Sequence, residues 1–144
     1  MRPEEEEVWR ALYQAIEVLP HAIEAELRRS SNLTLHDYKV LNVLAGRSDR
    51  SIRVTDLANS VPMSLSGLSR LVDRLGRRGL IERERSFEDR RSQLVVLTAA
   101  GEKLAESSKV VHSAFLCRTV FDNLRGFDLE RLTRAFEAMA SSTE

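Results

Sequence analysis

The stretch from Arg53 to Thr98 constrains the fold of this chain more than any other part of its sequence. Thr55 can cap a short helix that ends before Pro62, because proline has no backbone N–H with which to continue a helix. Ser64 can then cap a second helix. The apolar residues of that helix recur at helical spacing and are Leu65, Leu68, Leu71, Val72 and Leu75. Two helices joined by so short a turn are typical of a helix-turn-helix.

Two short apolar segments follow this helix pair, whose second helix we expect to end at Gly76 or Gly79. Residues 80–85 begin apolar and continue with charges, as an exposed ribbon strand does, and residues 94–97 are all aliphatic. The charged segment 86–92 joins them as a loop. The pattern predicts a winged helix-turn-helix, in a fold that is mainly α with a small β-wing and therefore of the α+β class.

The polar face of the second helix carries small hydroxylic residues and guanidinium groups. Hydroxyls can bond phosphates, and arginine can bond a guanine edge with two N–H groups, so this surface suits the major groove of DNA. The alternative is an ordinary amphipathic helix with a solvated arginine face. The loop favours DNA, because adjacent arginines at its tip suit the negative potential of the narrow minor groove. The candidate DNA-binding residues are Ser64, Ser66, Gly67, Ser69, Arg70 and Arg74 on the helix and Asp89, Arg90 and Arg91 in the loop.

The charge of the chain is unevenly distributed although its sum is zero. Residues 46–91 contain eleven Arg and seven Asp or Glu, a net charge of +4, which leaves −4 for the rest of the chain. This is the sign expected if the middle segment binds DNA. The acidic Asp89 fits such a loop if it orients a neighbouring guanidinium, because a carboxylate two residues before Arg91 can hold that group in place.

The same residues resemble the MarR family of bacterial transcriptional regulators. The resemblance rests on Leu57-Ala58, Met63-Ser64, the run 69–75, Gly79-Leu80-Ile81 and, most specifically, Asp89-Arg90-Arg91 followed by Leu97-Thr98-Ala99-Ala100-Gly101. It covers nearly the whole chain in length and helix order. It implies a homodimer whose first and last helices interlock, with Ser64 to Arg74 as the recognition helix and Arg91 as the minor-groove arginine, partnered by Asp89. It further implies a ligand-responsive regulator, most often a repressor, of a palindromic operator.

An amphipathic helix is predicted before the winged segment. Glu4 to Arg29 carries apolar residues at spacings of three and four, and Pro20 inside it predicts a kink or a break near Glu17. Thr34 is expected to cap a second helix that ends at Gly46.

Further helices are predicted after the wing. Ile52-Arg53-Val54 is a candidate third strand of the wing sheet, Thr98 can cap a long helix that Gly126 breaks, and Asp128 can cap the last helix. The apolar surface of these helices exceeds what a small winged helix needs, so part of it is expected to meet a partner. We expect a single domain, 1–144, with dimerisation helices at 1–46 and 99–144 and the winged helix-turn-helix at 47–98.

Composition argues for one core and against export. A chain of 144 residues that is 42% hydrophobic can bury one core, and its single cysteine rules out an internal disulfide. No apolar run approaches about 18 residues, and the acidic N-terminus has the wrong charge for a signal peptide. We therefore expect a cytoplasmic protein with no membrane contact.

No catalytic motif is recognisable in the sequence, so we predict no enzyme, no catalytic residue and no cofactor. His36 with Asp37 and His112 could form a metal site, but dispersed histidines are more often surface or capping residues, and we predict no metal. Cys117 falls in an apolar stripe, where a thiol is usually an inert small hydrophobe; redox sensing is the alternative.

Trp9, Tyr13 and Tyr38 are the candidate lining of a pocket for a small aromatic effector, because rings with polar tips on the first two helices would face the gap above the winged helix. The alternative is that they are core aromatics. For the whole chain, the alternative to a DNA-binding regulator is a winged-helix protein-interaction module, which would not need arginines at the wing tip together with a Ser/Arg helix face.

Overall fold

The computed structural model describes residues 1–85 and 93–142, and the chain divides into two compact units after His112. Its elements in chain order are α1 (Pro3–Ser31), α2 (Leu35–Ala45), β1 (Ser51–Arg53), α3 (Val54–Ser60), α4 (Leu65–Arg77), β2 (Ile81–Arg85), β3 (Gln93–Leu97), α5 (Ala99–Leu116), a π-helical turn (Cys117–Phe121) and α6 (Leu129–Ser141). The predicted fold class, mainly α with a small β-sheet, is confirmed. In the part of the chain that the structure describes, no helix is long and apolar enough to cross a membrane.

The wing sheet has three antiparallel strands in the order β1-β3-β2. The predicted third strand is present as β1, which begins one residue earlier than expected and pairs Ile52 with Val95. At the other edge β2 pairs Ile81 with Leu97. The side chains of these paired residues are buried, so one face of the small sheet closes the core of the first unit.

That core collects apolar side chains from α1, α2, α3, α4, the sheet and the start of α5. Its fully buried residues are Leu27, Leu33, Val40, Leu41, Leu44, Leu57, Val61, Leu68, Leu75 and Val95. The predicted apolar face of α4 is therefore confirmed with one exception. Leu65, expected on the buried face, is 68% exposed, because the first turn of α4 extends past the core.

The first helix is continuous where the sequence predicted an interruption. Proline at position 20 lies inside α1, and the helix runs on to Ser31, so the expectation of a break near Glu17 was wrong. Proline removes one N–H donor from the ladder, and a helix of 29 residues keeps the hydrogen bonds on either side of that gap. The helix ends at Asn32, which adopts a left-handed conformation with φ of 51°.

Most of the predicted helix caps are confirmed. The Thr34 hydroxyl accepts a hydrogen bond from the backbone N–H of the third residue of α2, and the Ser64 hydroxyl does so for α4. The Asp128 carboxylate accepts the equivalent hydrogen bond in α6. The prediction that Thr55 caps a helix was wrong, because β1 leads directly into α3 and Arg53 is the residue before that helix.

Gly79 rather than Gly76 marks the end of α4. The helix continues through Gly76 to Arg77, and Gly79 follows in a left-handed conformation with φ of +68°. Positive φ is readily adopted only by glycine, so this position reverses the chain into β2 at little steric cost.

The second unit contains the end of α5, the π-helical turn and α6. The α-helical pattern of α5 gives way to the π turn at Cys117, several residues before the expected break at Gly126. Cys117, predicted to be an inert thiol in an apolar stripe, is exposed within this single chain. The predicted apolar stripe of α6 includes Leu129, Phe136 and Met139, all of which are exposed within this chain.

The start of α5 is packed directly against the chain segment that links α4 to β2. The Thr98 hydroxyl donates to the Gly79 carbonyl at 2.7 Å and accepts from the Gly101 N–H at 3.0 Å. A Cβ atom at Gly101 would lie 2.0 Å from the Leu80 carbonyl oxygen and 2.7 Å from Leu97 Cδ1. Only glycine allows this approach, so Gly101 fixes where α5 leaves the wing.

Gly101→Ala is therefore expected to lower the free energy of unfolding by about 1 to 3 kcal/mol, because the backbone at Leu80 must move to admit the methyl group. Urea denaturation of the two proteins measures this. Gly46→Ala is the matched control, since its Cβ would lie at least 3.5 Å from its nearest neighbours and φ there is negative. Equal stabilities of the two alanine variants would contradict the proposed close packing.

Candidate DNA-binding interface

The N-terminal turn of α4 presents a compact, hydroxyl-rich surface. The Ser64 hydroxyl accepts from the Gly67 N–H at 3.1 Å and lies 3.3 Å from the Ser66 hydroxyl. A Cβ at Gly67 would come within 3.0 Å of the Ser64 oxygen, so a larger residue would press on the cap. The sequence thus favours glycine here for the cap as well as for a close approach to DNA.

The central exposed face of α4 is formed by Ser66, Ser69, Arg70 and Asp73. Residues three and four apart are neighbours on a helix, so Ser66 and Arg70 stand side by side. Among the described residues, none forms a hydrogen bond or ion pair with the guanidinium of Arg70, so its N–H donors face solvent there. This is the arrangement that the sequence predicted for reading a base edge.

Arg74, which the sequence assigned to the same face, makes an ion pair within the protein while its side chain stays 44% exposed. Its guanidinium pairs with the carboxylate of Asp37, whose side chain is only 2% exposed. The same carboxylate accepts from the Thr34 N–H at 2.9 Å and so completes the capping box of α2. Arg74 therefore ties α4 to the start of α2, and nothing in the spacing of the sequence pointed to that partner.

Arg78, an arginine that sequence reasoning missed, holds the same C-terminal end of α4. Arg78, which follows the last helical residue, donates to the carbonyl oxygens of Asn32 at 2.9 Å and Ser31 at 3.2 Å. These carbonyls lie at the C-terminus of α1, where a helix leaves acceptors unsatisfied and attracts cations. The C-terminal part of α4 is thus anchored to both α1 and α2.

A third arginine links α4 to the wing. Arg83, in β2, pairs with Asp73 of α4 at 2.8 Å and donates to the side-chain oxygen of Gln93 in β3 at 2.8 Å. One guanidinium therefore spans the helix and both long strands. The acidic Asp73, which would repel phosphates if it were bare, is neutralised by this contact.

The wing residues Asp89, Arg90 and Arg91 lie outside the residues that the structure describes. The described part of the wing ends with the paired residues Arg85 and Gln93. The assignments of these three residues remain predictions from the sequence.

The candidate effector-pocket aromatics fall into two separate ring pairs. Trp9 and Tyr13 are both about half exposed on α1, with ring centroids 5.8 Å apart. Tyr38 is buried and stacks on His112 at 4.6 Å. Within this chain, the expectation of core aromatics therefore holds for Tyr38 and not for Trp9 or Tyr13.

Burial affects the ionisation of the second ring pair. It raises the pKa of the Tyr38 phenol and lowers the pKa of the His112 imidazole. Both rings are consequently neutral near pH 7, and a neutral stacked pair is compatible with an apolar surrounding.

The alternative metal site of His36, Asp37 and His112 is not assembled in the residues that the structure describes. Asp37 is paired with Arg74 and His112 is stacked on Tyr38, so two of its three members already have other partners. Across the described ranges, no three side chains of His, Cys, Asp or Glu are grouped so as to hold an ion.

Known proteins share sequence similarity with this chain. A family model described as the MarR family matches residues 31–92. A curated relative, the uncharacterized HTH-type transcriptional regulator YfiV of Bacillus subtilis (strain 168), is 32% identical over 101 residues. That match covers 70% of this chain and 61% of the length of the relative, which is less than two thirds.

Solved structures resemble this chain over almost its whole length. Sco3205, a MarR family transcriptional regulator from Streptomyces coelicolor in complex with DNA, has a TM-score of 0.90 at 28% identity, covering 99% of this chain and 89% of that one. AbsC, a MarR family transcriptional regulator from the same organism, has a TM-score of 0.90 at 29% identity, covering 99% of this chain and 96% of its own. The family model, the curated relative and the two structures agree, and this chain is similar to MarR family transcriptional regulators in sequence and fold.

Proposed function

We propose that this protein is a transcriptional regulator that binds a palindromic operator as a homodimer and represses until an effector binds. The observation that carries the proposal is the exposed hydroxyl and guanidinium surface of α4, with Ser66, Ser69 and Arg70 directed away from a helix that is anchored behind. Sco3205, which is 28% identical, was solved in complex with DNA, and this likeness supports the same class of partner here.

The homodimer is proposed from apolar surface that a single chain leaves uncovered. Trp9 and Ile16 on α1 are more than half exposed, as are Phe127 and Met139 in the second unit. Apolar side chains that recur on the exposed face of a helix, as Trp9 and Ile16 do at a spacing of seven residues, are typical of interaction sites, and a symmetric pairing is the commonest way to bury them. In this proposal the chain works as one functional domain, with 1–46 and 99–144 supplying the dimer contacts.

The competing function is a winged-helix module that binds another protein. Such a module does not need an exposed Arg70 flanked by serine hydroxyls, nor the basic wing tip of Arg90 and Arg91. A DNA-binding role also gives the arginine-rich middle segment a partner of opposite charge. We therefore prefer DNA, and with it a cytoplasmic location beside the chromosome.

The effector is proposed to be a small aromatic acid that binds near Tyr38. The buried and neutral stack of Tyr38 on His112 offers an aromatic face. Trp9 and Tyr13, which are uncovered in one chain, could join such a site once a partner covers α1.

The first expected result concerns the operator. Genomic fragments selected by the purified protein should share a palindrome whose half-site centres lie about 10 bp apart, because a two-fold protein presents two recognition helices to one face of DNA. Footprinting locates the site, and sedimentation at micromolar concentration measures the oligomer. A folded monomer, or protection of one asymmetric half-site, would contradict the proposal.

The second expected result separates the helix residues. Arg70→Ala should weaken operator binding by about 1 to 3 kcal/mol and binding to scrambled DNA much less, because Arg70 reads a base edge. Its stability should change by no more than about 0.5 kcal/mol. Arg74→Ala is the matched control, and it should instead lower the free energy of unfolding by about 1 to 3 kcal/mol, because it leaves the buried Asp37 carboxylate without its cation. Equal losses on operator and scrambled DNA for Arg70→Ala would argue against base reading.

The same DNA titration, repeated with variants of the wing, tests the roles that the sequence predicts for Asp89 and Arg91. Arg91→Ala should weaken both DNAs alike and reduce the salt dependence by about one unit of slope per lost contact, or about two per dimer. Asp89→Ala should weaken binding to both DNAs as Arg91→Ala does, but by less, because it removes the group that orients the guanidinium. Simple electrostatics predicts the reverse, so tighter binding by Asp89→Ala would overturn the orienting role.

The third expected result concerns the effector. A series of aromatic carboxylates should include one that raises the melting temperature and lowers operator affinity by roughly 5- to 150-fold, the usual range of coupling between sites. Cyclohexanecarboxylate is the control for charge without an aromatic ring. If no member of the series shifts either quantity, Tyr38 reverts to a core aromatic.

A further inference from the structure

The side chain of Leu65 is strongly exposed to solvent at the start of α4. It is 68% exposed, and in the described residues between 47 and 98 it is the only large apolar side chain that is strongly exposed. Apart from Met1, which precedes α1, the other exposed large apolar residues lie on α1, on α5 or in the second unit, where the proposed dimer gives them a role. Leu65 lies in the winged segment, so that explanation does not extend to it.

Leu65 is the first residue of α4, directly after the Ser64 cap, and is flanked by exposed serines. Helical spacing places it beside Ser69, in the row next to the one formed by Ser66 and Arg70. The proposed DNA-reading surface therefore includes one large apolar group among hydroxyls and a guanidinium.

We propose that Leu65 recognises the 5-methyl group of a thymine in each half of the operator, an inference that rests on the proposed DNA-binding function. In the major groove the thymine methyl is the apolar group that a base edge presents, and aliphatic side chains recognise it by contact. Leucine has no hydrogen-bonding group with which to read any other base. Contact with the methyl would also remove apolar surface of both partners from water.

The position of this thymine relative to the base read by Arg70 follows from helix geometry. Leu65 and Arg70 are five residues apart, which corresponds to about 7.5 Å along the helix axis at about 1.5 Å per residue. Base pairs are spaced by about 3.4 Å, so the thymine contacted by Leu65 should lie within about two to three base pairs of the base read by Arg70 in each half-site.

Deoxyuridine substitution tests the contact directly, because it removes only the methyl group. Each thymine of the selected operator is replaced in turn, symmetrically in both half-sites, and the dissociation constant is measured for the wild type and for Leu65→Ala. The wild type should lose about fourfold per contacted methyl, or about 15-fold for the symmetric pair, at one thymine position. Leu65→Ala should bind the unmodified operator correspondingly more weakly and show no further loss at that position.

A second variant controls for indirect effects. Leu65→Met keeps an apolar tip and should retain most of the sensitivity to deoxyuridine. Melting temperatures of both Leu65 variants should match that of the wild type, since neither change removes buried surface.

The outcomes separate this inference from the function beneath it. If no DNA is selected at all, the proposed function fails. If a specific operator is bound but no thymine responds to loss of its methyl, or if Leu65→Ala retains the same responsive thymine as the wild type, the methyl contact is refuted while the function stands. Unchanged operator affinity of Leu65→Ala would also overturn the contact and leave this surface to a protein partner.

Discussion

The pairing of the buried Asp37 carboxylate is the interaction on which the position of α4 depends. One carboxylate oxygen accepts from the Thr34 N–H and completes the capping box of α2, and the other accepts from the guanidinium of Arg74. A buried charge needs such partners, because an unpaired carboxylate in an apolar interior is strongly destabilising. The start of α2 and the C-terminal part of α4 are therefore held by the same group.

Each side of α4 has a different task. Leu68, Leu71 and Leu75 fill the core, and Arg74 with Arg78 binds the polar ends of α1 and α2. The remaining face, which includes Ser66 and Arg70, is exposed. A helix that is fixed on two sides presents its third side in one orientation, which lowers the entropy lost when it binds a rigid partner.

Local sequence rules predicted the elements well. The cap residues Thr34, Ser64 and Asp128, the apolar spacing of α4 and the strands of the wing were all visible, because each depends on neighbours a few residues away. The misses came from long-range packing. The partner of Arg74 lies 37 residues away and that of Arg78 lies 46 residues away, so no periodicity could reveal them. Leu65 was wrongly predicted to be buried, because helical spacing identifies the apolar face of a helix but not the point along the helix at which the core ends.

The same long-range contacts offer a route by which the proposed effector site near Tyr38 would influence DNA binding. Tyr38 stacks on His112 and directly follows Asp37 in α2, so one stretch of backbone carries both the Tyr38 ring and the Asp37 carboxylate. That carboxylate pairs with Arg74, and Arg78 binds the neighbouring end of α1, so both contacts meet α4 at its C-terminal end. Ser66 and Arg70 lie on the same helix, N-terminal to these contacts. In the proposed regulator, a ligand that shifts this stretch of α2 would therefore change the orientation of α4, and ligand and DNA would be coupled through one buried ion pair.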